Sequence, residues 1–229
     1  MAVHHFVIQA FTELGLLNVT HTDEHPSDHA FRDEVLRLRD LFKFEFFFAR
    51  KERFRQQFFD ELAYLGEPLD DIRKIDREEA REILGREPLL VAHGVLMPFI
   101  NAYEVVADCL LKNGTSAISD RDDFVAYCQA ESRKRRAGYP GFASKALLTN
   151  GYQLAENRGL LEAGEDAAAG RQAFADELQF IAGQLEELRA MFAAREDARL
   201  DTRALPFERG PDEPRKPRKD VGGGCQDAA

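Results

Sequence analysis

Phe42–Phe48, FKFEFFF, admits two readings, and the fold turns on which one holds. Aromatic residues at every second position fit a half-buried strand. Yet no other stretch alternates in this way, and a lone strand would have no partner to take its hydrogen bonds. The residues before it step as a helix: Asp28 can cap a run through Val35, Leu38 and Phe42, spaced three and four apart. We therefore extend that helix to Phe48. Phe54, Phe58, Leu62 and Leu65 then form a second apolar stripe, closed by Gly66 and Pro68. Residues 42–59 hold eight of the chain's 18 phenylalanines, which read either as core or as a docking face.

Working outward, the other segments are helical too, so the expected fold is all-α, a multi-helix bundle. Residues 3–17 form an apolar helix on which Phe6, Ala10, Leu14 and Leu17 share a face, with Gly15 and Asn18 at its end. No cap precedes it, as if the chain were cut from something longer. Residues 88–103 (PLLVAHGVLMPFINAY) are uncharged, but the run is shorter than the ~20 residues a bilayer requires and Pro98 interrupts it, so no transmembrane helix is expected. Glu104 and Asp108 follow one turn apart, a possible acid–base or metal pair whose ordinary reading is a solvated edge.

Ser119 is read as the cap of the next helix, with Asp120, Asp122 and Asp123 at its positive end and Arg133, Lys134, Arg135 and Arg136 at its negative end. Those four cations are also the candidate phosphate or anionic-lipid contact. Gly138–Gly141 turns the chain into a helix ending at Arg158, where Gly159 fits the position after the cap, and Leu160–Leu161 resumes packing. Finally, Phe174, Leu178, Ile181, Leu185, Leu188 and Phe192 form a heptad-like seam, suited to a bundle or to a partner helix.

The chain divides into a helical domain, 1–200, and a tail, 201–229, with four of the nine prolines, a Gly222–Gly224 run and few apolar residues, expected to be disordered. A net charge of −10 argues against a nucleic-acid partner. Three cysteines without metal spacing (Cys109, Cys128, Cys225) suit a reducing compartment, and the N-terminus lacks the pattern of a signal peptide. His21, His25 and His29 sit among acids, but Pro26 breaks the helix that would align them, so neither a metal nor a cofactor is expected. No P-loop, GxGxxG, GxSxG or HExxH occurs.

Four strings, HHFVIQAFTEL (His4–Leu14), LRDLFKFEFFF (Leu38–Phe48), PFINAYEVVADCL (Pro98–Leu110) and SKALLTNGYQLAENRGLL (Ser144–Leu161), resemble, in order, the C-terminal region of the long bacterial, actinobacterial-type glycerol-3-phosphate 1-O-acyltransferases. The resemblance covers residues 4–161. It implies acyl transfer from acyl-CoA or acyl-ACP to the sn-1 hydroxyl of glycerol 3-phosphate, in phospholipid biosynthesis, peripherally at the cytoplasmic face of the membrane. Such enzymes use a His-x4-Asp dyad, the histidine taking the hydroxyl proton. Here the residues five after His4, His5, His21, His25, His29 and His93 are Gln9, Ala10, Pro26, Ala30, Glu34 and Pro98. Even His29 and Glu34 would stand about 140° apart on a helix. The dyad module is thus expected to be a partner, the substrates to be met only through the full enzyme, and the chain alone to be inactive. The alternative is a stand-alone helical adaptor whose seam binds a partner helix.

Overall fold

A long helix with a broad apolar face must be packed along it, and Ala92–Lys112 is such a helix, with eleven of its residues buried. The structure, a computed structural model, describes residues 2–18, 27–64, 75–135 and 144–203. Eight helices occur among them: α1 (Ala2–Leu17), α2 (Ser27–Leu41), α3 (Lys51–Tyr64), α4 (Arg77–Arg86), α5 (Ala92–Lys112), α6 (Arg121–Arg135), α7 (Lys145–Asn157) and α8 (Glu165–Arg203). No strand occurs among the described residues. The all-α expectation is met. α5 is the hub, packed against α1, α6, α7 and most extensively α8, while α1 also meets α2, α3 and α4.

The helix runs beyond the uncharged stretch 88–103, and at 21 residues α5 is by length and composition long and apolar enough to cross a bilayer. More than half of its most apolar window is buried in the bundle, however, as in a core helix. Pro98 lies inside it without ending it. Pro98 and Gly94 are both exposed, so the Gly94 carbonyl that loses its donor lies on the watery side, where the loss costs least.

FKFEFFF is neither helix nor strand. α2 stops at Leu41, one further turn forms (Phe42 N–H to Leu38 O, 3.0 Å; Phe46 N–H to Phe42 O, 3.1 Å), and residues 47–50 run without regular structure into α3. Packing explains the break. Phe42, Phe46 and Phe48 must reach rings on three other helices: Phe42 stacks on Tyr103, Phe46 meets Phe99 edge-on at 5.1 Å, and Phe48 contacts Phe11 and Phe54. Each such pair adds about 0.5–1.5 kcal/mol beyond area burial. Phe44 and Phe47 are left facing out. The phenylalanine-rich stretch is thus divided between the core and the surface.

Other boundaries shift for local reasons. Gly15 does not end α1 but lets α2 approach: a Cβ there would come within 2.7 Å of the Phe31 ring. Phe6 is exposed, unlike Ala10, Leu14 and Leu17. α2 starts at Ser27, which puts Asp28 inside it. Asp120 rather than Ser119 caps α6, accepting from the Asp123 N–H at 2.8 Å. α4, absent from the sequence-based expectations, opens with a capping box between Asp76 and Glu79. Gly159 does follow the Arg158 cap, at φ +70°. α8 continues to Arg203, so Asp201–Arg203 belong to the helix. Leu65, Gly66, Pro68, Gly138–Gly141 and residues 204–229 lie outside the described residues.

Candidate functional site

α1 and α3 are brought together by their apolar faces, and that packing places His5 beside Glu61, a neighbourhood that spacing along the chain could not reveal. The pair lies in a cleft of about 1130 Å³ shared with Phe47, Phe48, Arg50 and Arg53. His5 Nδ1 stands 3.6 Å from Glu61 Oε2; the imidazole is 62% exposed and the carboxylate 7%. Burial pushes the Glu61 carboxyl above the usual range, and the His5 charge opposes that. At 3.6 Å the carboxylate attracts an imidazolium without fixing a tautomer by hydrogen bond. A second such contact joins His93 Nε2 on α5 to Glu186 Oε1 on α8 at 3.3 Å, with Arg189 holding the other Glu186 oxygen at 2.6 Å. Glu34 is unavailable to His29: Arg37 grips both its oxygens, at 2.6 and 2.8 Å.

The predicted basic run is split. Arg133 and Lys134 are exposed in the last turn of α6, Arg135 is its final residue, and Arg136 lies outside the described residues. Lys134 is held by Glu131 at 2.5 Å, and Lys112 from α5 reaches the same carboxylate at 2.5 Å, a neighbour that sequence spacing did not reveal. Together they keep the Glu131 carboxyl below its ordinary range. Glu104 and Asp108 are half-buried on α5. Among the described residues no three His, Cys, Asp or Glu side chains converge as metal ligands; His21 and His25 lie outside them.

Buried polar groups frame the bundle. Glu13, the lone acid of α1, caps α5 across the fold, accepting from Val91 N–H (2.9 and 3.0 Å) and Ala92 N–H (2.8 Å). Burial pushes its carboxyl up to about 7, against the opposing pull of those donors and of Gln9. Glu45 accepts from Tyr103 Oη and Asn150 Nδ2, both at 2.9 Å, pinning the turn after α2 to α5 and α7. Cys109 and Cys128, buried on α5 and α6, meet thiol to thiol, and that contact with burial pushes the Cys128 thiol up. In the α8 seam Phe174, Leu178, Ile181, Leu185 and Leu188 are at most 2% exposed, in the helix that packs most extensively against α5.

The family described as "Glycerol-3-phosphate acyltransferase C-terminal region" matches residues 1–164. Proteins named "Putative acyltransferase plsB1", from Mycobacterium tuberculosis and from Mycobacterium bovis, are 33% identical to the chain over 185 residues. That is 77% of this chain but 30% of each relative, so the chain spans under a third of their length. No solved structure matches.

Proposed function

Because the chain belongs to the glycerol-3-phosphate acyltransferase C-terminal region family, we propose that it works as the C-terminal helical part of a glycerol-3-phosphate 1-O-acyltransferase, in phospholipid biosynthesis. The observation that carries this is the match over residues 1–164, which takes in α1 to α7. In this reading another module holds the His-x4-Asp dyad and takes acyl groups from acyl-CoA or acyl-ACP. The helical part packs against that module at the cytoplasmic membrane face, with Arg133, Lys134, Arg135 and Arg136 toward phosphate or anionic headgroups. Its role is to shape acyl transfer rather than to run it. Supporting this, the imidazole in the large cleft is mostly exposed and beyond hydrogen-bond reach of its carboxylate, while the acid beside His93 is shared with Arg189. The adaptor reading needs a free seam on α8, and there Phe174, Leu178, Ile181, Leu185 and Leu188 are covered by the chain's own packing, with Phe192 only partly buried.

The test is thioester loss from acyl-CoA with glycerol 3-phosphate and the purified 229-residue chain. We expect none above background. Turnover that disappears in His5→Ala or His93→Ala would assign the chemistry to this chain and overturn the division of labour.

A further inference from the structure

Residues 43–55 (KFEFFFARKERFR) depart from the acidic character of the chain, with five cations against two carboxylates and five phenylalanines. The structure sorts these groups. The large cleft and a second one, of about 550 Å³, share Phe47 and Phe48, so this segment stands as a ridge between two hollows. Phe48 leans into the aromatic cluster, whereas Phe47 is 101% exposed, the most exposed large apolar side chain among the described residues. Arg50 and Arg53 line one hollow and Lys51 the other; all three are exposed, and none makes an ion pair with a described residue. Lys134, by contrast, is already held by Glu131.

A bare aromatic ring between two hollows, flanked by exposed cations that pair with none of the acids lining them (Asp60 and Glu61 in one, Asp40 in the other), matches a surface that is anionic outside and apolar just beneath. We infer that the Phe47 ridge is where this chain meets an anionic phospholipid bilayer, Phe47 entering below the headgroups while Arg50, Lys51 and Arg53 contact their phosphates. A protein partner would bring a pocket to cover the ring; a bilayer needs none. The inference rests on the membrane setting proposed above, but it is tested apart from acyl transfer.

The chain contains no tryptophan, so Phe47→Trp places a single reporter on the crest. With vesicles of equimolar phosphatidylglycerol and phosphatidylcholine at low salt, its emission should shift to the blue and be quenched by brominated acyl chains. Pure phosphatidylcholine should give a much weaker response. In vesicle co-sedimentation, Phe47→Ser should weaken binding about ten-fold. Arg50→Gln, Lys51→Gln and Arg53→Gln should each weaken binding about five-fold, and added salt should weaken the parent chain's binding in the same way. Circular dichroism should stay unchanged, since these side chains are exposed. Indole emission that neither shifts nor is quenched in Phe47→Trp would overturn the ridge, as would binding lost on changing Arg133–Arg136 but kept in Phe47→Ser. So would no vesicle binding alongside capture by an acidic protein. An acyl-transfer assay failing while the vesicle results hold would refute the proposed function and leave the ridge standing.

Discussion

At the scale of single residues, Glu13 bears the largest conflict. It is 2% exposed, yet it caps the central helix, so burial and hydrogen bonding pull its proton affinity in opposite directions. Burial prevails, and its carboxyl in the fold titrates near 7 instead of the ordinary 4.5. A carboxyl whose affinity for a proton rises on folding stabilises the fold below its unfolded value, and that contribution is lost as pH climbs through the folded one. We expect stability to fall by roughly 3 kcal/mol between about pH 4.5 and 7 and then to level, the nearby Glu61 charge acting in the same direction. Urea midpoints measured across that window check this. Glu13→Gln keeps an acceptor for Val91 and Ala92 but cannot ionise, so its profile should be flat by comparison. Glu13→Leu should cost about 1–3 kcal/mol for each helix N–H it strands.

At the scale of elements, Arg171 does what no apolar contact can. It is 0% exposed and donates to four carbonyls: Leu160 and Glu162 at 2.7 and 2.8 Å, Ser116 at 2.9 Å and Gly114 at 2.5 Å. The turns before α6 and after α7 are thereby tied to α8, alongside the backbone bonds Ile118 N–H to Leu161 O and Gly164 N–H to Thr115 O. Lysine carries the charge without the fork, so Arg171→Lys should lower stability by about 3–5 kcal/mol, with hydrogen exchange rising first at residues 114–118 and 160–164. Sequence reading ends at such ties. Periodicity exposed the stripes of α3 and the seam of α8 because each is local. FKFEFFF misled because its side chains answer to Phe11, Phe99 and Tyr103, far away in sequence. The Asp76–Glu79 box is legible in the sequence as a helix start; the pairings of Glu13, His5 and Arg171 are not, since each joins separate elements.

At the scale of the whole molecule, the family match stops at residue 164 and α8 begins at Glu165, so the helix that closes the core lies outside that match, although the similarity to the mycobacterial relatives, over 77% of the chain, reaches past residue 164. α8 covers the hub helix with Phe174, Leu178, Ile181, Leu185 and Leu188, and its Arg171 holds two turns in place. Burying a large apolar side chain contributes about 1.5–3 kcal/mol, so the five together are worth on the order of 10 kcal/mol. That is comparable to the entire stability of a typical domain. A chain ending at residue 164 should therefore lack a cooperative thermal transition, bind a hydrophobic dye and aggregate, whereas one ending at Arg203 should melt like the full chain. If the shorter chain instead melted sharply and stayed monomeric, α8 would be an accessory laid over a self-sufficient seven-helix core, and its seam would be free for another molecule after all.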